Sequence, residues 1–168
     1  MRACHLAGRL VLFALCLAPA IGQAKSADEA RIEALEARFA SAFNARNVDA
    51  IMQVYVPDDR LLVFDVAPPR QYRGAKAYRK DWEDFFAHFN GPLKFEITEL
   101  GIVASGNLAF SHSIQHVSGT STKGEPIDLT VRVTDGYRKI NGKWLIELEH
   151  VSVPVDLETG KPDLLSKP

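Results

Sequence analysis

Alternation of apolar and polar residues is strongest between Ile127 and Pro154. Ile127, Leu129, Val131 and Val133 alternate with Asp128, Thr130, Arg132 and Thr134, the period of a strand with one apolar face. Asn141-Gly142 follows, the dipeptide that best fits a two-residue hairpin turn in which both residues need positive φ. Trp144, Ile146 and Leu148 continue the period on the far side of the turn. Asp135 falls on the apolar parity. A carboxyl group there must be paired, hydrogen-bonded or protonated.

Upstream, the period changes twice. Ser26 and Glu29 form a capping-box pattern, and Ile32, Leu35, Phe39, Ala42 and Phe43 fall on one helical face. Asn47 caps a second predicted helix carrying Ile51, Met52, Val54 and Tyr55, with Pro57 beyond its end. Leu61 to Val66 has the length of a short strand, stopped by Pro68-Pro69, and Tyr72-Arg73 is another. Tyr78, Trp82, Phe85, Phe86 and Phe89 then predict a third helix ending at Asn90-Gly91-Pro92. From Leu93 the period is again that of a strand, and a bulge near Thr98-Glu99 would return Leu100 and Ile102, which fall on the other parity, to the apolar face of Leu93, Phe95 and Ile97. After Gly106-Asn107, Leu108, Phe110, His112, Ile114 and His116 share a parity, which assigns both histidines to the apolar, core-facing side. Three helices, short N-terminal strands and four long strands predict an α+β domain, a curved antiparallel sheet wrapped by helices around a conical pocket.

The first 24 residues read differently. Arg2 and Arg9 precede an apolar run from Leu10 to Ala20, followed by small residues, the pattern of a signal peptide. The run is too short for a membrane span. The expected division is residues 1–24 as signal peptide, 25–155 as the domain and 156–168 as a loose tail. The destination is the periplasm or the exterior. Cys4 and Cys16, the only cysteines, lie in the leader, so the mature chain would have no disulfide and no cysteine nucleophile. The net charge of −1 and the lack of any basic run give no basis for binding nucleic acid, or a membrane once the leader is removed.

Three segments carry a resemblance: Phe39 to Tyr55, Tyr72 to Ala77, and Tyr137 to Pro154. Together they resemble the nuclear transport factor 2-like superfamily, and most closely its small SnoaL-like members. The superfamily includes ketosteroid isomerase and the association domain of calcium/calmodulin-dependent kinase II. The resemblance implies the cone fold, a homodimer formed through the exposed sheet face, and cofactor-free chemistry of isomerase, cyclase or dehydratase type. It puts Asp65 at the position of the isomerase's general base and Asp135 at that of its hydrogen-bonding acid. Phe39 stands where the isomerase has a tyrosine, so that hydroxyl is missing and Tyr55 is the nearest replacement. The arginines of the kinase domain's pocket are replaced by His112, Asp135 and Val151, which argues against a carboxylate ligand.

The expected catalytic set is Asp65, Asp135 and His112, opening into one cavity with Asp65 as base. Each has a structural alternative: an ion pair or turn cap for Asp135, backbone bonds for Asp65, a satisfied core position for His112. Phe39, Phe43, Tyr55, Trp82, Phe86 and His150 are the expected ligand-binding residues, the aromatic ones equally suited to core packing. Strict alternation from Trp144 turns His150 inward and Glu149 outward. The resemblance turns Val151 inward, and a bulge would reconcile the two. His112 and His116 are about 13 Å apart along a strand, too far to share a metal, and no metal or cofactor is expected. The expected partner is a small hydrophobic molecule, with a non-catalytic binding or interaction module as the alternative.

Overall fold

The computed structural model describes residues 25–166, so the expected leader lies outside the described residues. Helix α1 (Ala27–Asn44) starts at the expected capping box: the Ser26 side chain accepts from the Glu29 amide, and the Glu29 carboxylate accepts from the Ser26 amide at 2.7 Å. Asn47 caps the short α2 (Val48–Met52) by accepting from the Ala50 amide at 3.0 Å. Strands β1 (Leu62–Phe64) and β2 (Tyr72–Arg73) lead into α3 (Ala75–Ala87), followed by β3 (Phe89–Ser105), β4 (Leu108–Ser121), β5 (Pro126–Ile140) and β6 (Lys143–Ser152). Asn141 and Gly142 have φ of 50° and 78°, as the predicted turn requires.

The six strands form one sheet in the order β2-β1-β6-β5-β4-β3, antiparallel except where β1 runs parallel to β6. Register shifts interrupt it between Asn90 and Lys94 of β3 and at two further places. One lies in β3 between Thr98 and Gly101, where Glu99 has φ of 51°. The other lies in β6, where Gly136 pairs with Leu148 and Tyr137 with Ile146, leaving Glu147 as the extra residue. The helices cover the concave side and bury Ile32, Leu35, Phe39, Phe43, Ile51, Tyr78 and Trp82 against Val63, Phe95, Tyr137, Trp144 and Ile146. This is the predicted α+β cone, with a mixed sheet in place of a wholly antiparallel one.

The residues of β4 face the opposite way from expectation. In an antiparallel ladder, directly paired residues share a face. Val131, Val133, Asp135 and Tyr137 of β5 point inward, so their partners Gln115, Ser113, Ser111 and Ala109 do too. His112 pairs with Thr134 and lies outside, with His116, Phe110 and Leu108 on the same parity. The shift in β6 likewise turns Glu149 and Val151 inward and sends Leu148 and His150 out. The tail after Val155 follows the edge that β6 vacates: the Thr130 amide donates to the Leu164 carbonyl at 2.8 Å.

Candidate functional site

One row of side chains crosses the concave face: Ile102, Ser111, Asp135, Glu149 and Val63, on β3, β4, β5, β6 and β1 in turn. Asp135 and Glu149 are directly paired across neighbouring strands and both are buried. Such partners have Cβ atoms roughly 4.5–5.5 Å apart. A third buried carboxyl reaches them from α1, that of Glu36. Among the described residues, no lysine or arginine is bonded to any of the three.

Hydroxyls take the place of counter-charges. Tyr55 donates to Glu149 Oε2 at 2.7 Å, and Tyr78 donates to Glu149 Oε1. Tyr137 donates to Glu36 Oε1 at 2.7 Å and lies 2.8 Å from Ser111 Oγ, which donates to Asp135 Oδ2 at 3.2 Å. Asp135 Oδ1 has no partner among the described residues. Burial raises all three acids above the usual carboxyl range. Glu36 and Glu149 are each pushed up to about 7, held from rising further by their tyrosine donors. Burial, and then the charges of Glu149 and Glu36, raises Asp135 well above the ordinary carboxyl range, which favours its neutral form.

Glu149 is the member that meets open space. It lines a cavity of about 100 Å³ whose wall also holds Phe39, Phe43, Tyr78, Trp82 and Phe95, with Asp65 and Asp81 on the side of β1 and α3. Phe39 packs edge-on to Trp82 and Phe95 with ring centres 5.8 and 5.5 Å away. Phe43 stacks on Phe95 at 4.3 Å. Asp65 is half-buried and accepts from the Ala67 amide at 3.3 Å. Burial, then the nearby negative Asp81, raises its pKa. Tyr72 donates to Asp81 at 2.6 Å. Trp82 is buried, and its indole N–H has no acceptor among the described residues. Leaving such a donor unmet costs about 1–3 kcal/mol. A larger hollow of about 690 Å³ beside α2 and α3 has no buried lining residue.

Of the expected catalytic set, Asp65 reaches the cavity wall. Asp135 lies behind Glu149 and does not line the cavity. The expectation that His112 shares that hollow is corrected: its ring lies on the convex face over Gly101. His150 is also outside, edge-on to Phe64 at 5.7 Å. Phe39, Phe43 and Trp82 line the cavity, Tyr55 holds Glu149 from behind, and Phe86 stacks on Trp82 at 5.8 Å.

Sequence reasoning missed Glu36 and left Glu149 undecided. The signal for Glu36 was present: it sits four residues after Ile32 and three before Phe39, on the apolar stripe of α1. Glu149 was hidden by the bulge at Glu147, which reverses the parity of everything after it.

Solved structures share this architecture. An NTF2-like protein of unknown function from Pseudomonas putida is 32% identical, with 84% of this chain and 97% of that one covered and a TM-score of 0.76. A candidate dehydratase of the NTF2-like family from Streptomyces avermitilis is 13% identical over 74% of this chain and 95% of its own, at a TM-score of 0.64. A candidate scytalone dehydratase from Novosphingobium aromaticivorans is 20% identical over 74% and 82%, also at 0.64. The last two likenesses are of fold alone. No curated protein matches the chain. The profile of the SnoaL-like domain matches residues 32–156, and the chain belongs to that family.

Proposed function

We propose that this chain encloses a small, mostly apolar molecule in the cone and moves a proton on it without a cofactor, with Glu149 as the proton acceptor. The observation that carries this reading is the placement of Glu149. It is buried, it lies on the cavity wall, and two tyrosines fix both its oxygens. A carboxyl whose pKa is about 7 is half-ionised at neutral pH, and general acid–base catalysis works best there. Asp135 is its direct partner on β5, and the raised pKa of that carboxyl disfavours a second negative charge in the row. Asp65 at the cavity mouth is the second candidate for proton transfer, in the isomerase-like role its position suggests. The dehydratase descriptions of two fold neighbours are compatible with chemistry of this kind.

The volume limits the occupant. A cavity of about 150 Å³ accepts a benzene ring. At about 100 Å³ this one does not enclose a fused-ring system. Exchange of the protons beside the carbonyl of cyclopentanone, followed by NMR in heavy water, tests the catalytic reading. The chain should accelerate exchange, and Glu149→Gln should lose about 100-fold or more. No acceleration, or an unchanged rate in the variant, refutes catalysis. A thermal shift with cyclopentanone that survives in the variant would then favour the non-catalytic binding module.

The same proposal extends to assembly and export. Val103, Phe110, Gly136 and Leu148 form a row across four strands of the convex face, and Val103, Leu108 and Phe110 are 52%, 55% and 51% exposed. A second copy of the chain is the occupant we propose for this face, as a homodimer, and Phe110→Glu should yield a monomer on sedimentation. Residues 1–24 are proposed as an export signal. The mass of the protein recovered outside the cytoplasm should correspond to a start near residue 25.

A further inference from the structure

We infer that the molecule the cone takes is a compact organic cation, a quaternary or protonated amine, bearing an oxygen that accepts a hydrogen bond. The inference deepens the proposed function and rests on its cavity. Three features converge. No lining residue of the cavity is basic, while Asp65, Asp81 and Glu149 all contribute carboxyls to its wall. Half of the remaining wall is aromatic and most of the rest is aliphatic, with neighbouring ring centres among Phe39, Phe43, Tyr78, Trp82 and Phe95 4.3 to 6.3 Å apart. Ring faces attract cations and give nothing comparable to a neutral group of the same shape. The third feature is Trp82, a residue of the same wall whose buried indole N–H has no acceptor among the described residues.

Other ligand classes meet obstacles. An anion would approach three acids with no cation to hold it. A plain hydrocarbon would leave the Trp82 donor unmet and would desolvate Asp65 and Glu149 further. A cation with a neighbouring hydroxyl answers all three features: its charge offsets the carboxyls, its alkyl groups face the rings, and its oxygen accepts from Trp82.

Ionisation of Glu149 links binding to pH. The groups around it are Tyr55 after α2, Tyr78 on α3, Asp65 after β1, Glu36 on α1 and Asp135 on β5, none of them basic. A bound cation favours its carboxylate, so affinity should rise as pH increases toward about 7, with release of a proton.

Calorimetric titration of the full chain with choline, and with its uncharged carbon isostere carrying a tert-butyl group in place of the trimethylammonium, tests the inference. Choline should bind about tenfold tighter or better. Glu149→Gln and Asp65→Asn should each reduce that preference. Asp65 is half-buried at the mouth, so its variant is informative even if the first fails to fold. Equal binding of the two, or tighter binding of the isostere, overturns the cation assignment and leaves the cavity-binding reading intact. Failure of both to bind at millimolar concentration also overturns the cation assignment, and cyclopentanone exchange then decides the proposed function on its own.

Discussion

Across the three central strands, the concave face carries Ser111, Ser113, Gln115, Asp135 and Glu149, and the convex face carries Leu108, Phe110 and Leu148. The first set is buried and the second exposed. Their positions invert the usual sorting of polar groups outward and apolar groups inward. What allows the inversion differs between the faces. On the concave side, helix α1 and the tyrosines bring hydroxyl donors and Glu36 to the acids, so nearly every polar atom has a partner and the acids can be neutral. On the convex side no described residue covers Phe110, and its exposure carries a cost only in water. The polarity of a sheet face therefore reports what the face meets as well as whether it is buried.

The largest test of this contrast is a pair of truncations. Tyr137 is buried and joins Glu36, Ser111 and Asp135, so Tyr137→Ala should cost about 3–5 kcal/mol, through the cavity and the acids left without a donor. Phe110→Ala on the convex face should change the stability of the monomer by less than about 0.5 kcal/mol. Urea unfolding of dilute protein measures both. Similar losses at the two positions would break the distinction between the faces.

A second test is the pH dependence of stability. Glu36 and Glu149 have folded-state pKa values near 7 against an ordinary value of 4.5. A raised pKa means that the folded chain keeps protons the unfolded chain releases. Their contribution is therefore complete below about pH 4.5 and is lost as pH rises to about 7. The loss across that range should be on the order of a few kcal/mol. Glu36→Gln keeps an acceptor for Tyr137 and removes the ionisation, so it should flatten part of the slope. Unfolding free energies that increase from mildly acidic to neutral pH would show that the concave acids are not the buried, uncompensated groups described above.

Much of the fold was legible because local signals agreed with the global one. The capping box at Ser26, the Asn47 cap, the aromatic stripe from Tyr78 to Phe86 and the Asn141-Gly142 turn appear where the pattern put them, whereas α3 ends at Ala87 and Phe89 with Asn90-Gly91-Pro92 belongs to β3. Asp135 could be placed inward for the same reason, since no irregularity interrupts β5 between Ile127 and Asp135. The site was less legible because its chemistry breaks the pattern used to find it. On β4 the alternation is clear but its sign is not. Periodicity divides a strand into two faces without saying which is inside, and the larger hydrophobic residues of β4 are outside. On β6 a single extra residue, Glu147, exchanges the directions of Glu149 and His150. Glu36 required reading a carboxylate on an apolar stripe as a signal in its own right.

The smallest expected effect concerns the convex row Gly101, His112, Thr134, His150 and Phe64. If His112 acts there through packing, its partner is the glycine opposite. A methyl group at Gly101 would overlap the His112 ring, whose atoms are the far end of a side chain that can swing toward solvent. Gly101→Ala should therefore destabilise the chain by only about 0.5–1 kcal/mol, and adding His112→Ala should recover most of it. His112→Ala alone should leave both cyclopentanone exchange and choline binding unchanged, because the ring is on the side of the sheet away from Glu149. A double-mutant cycle from urea unfolding gives the coupling. If the two substitutions are additive, the contact between ring and glycine carries no energy. If His112→Ala instead abolishes exchange, the convex face takes part in the chemistry, and the separation of the faces into a proton-handling side and a packing side fails at its weakest point.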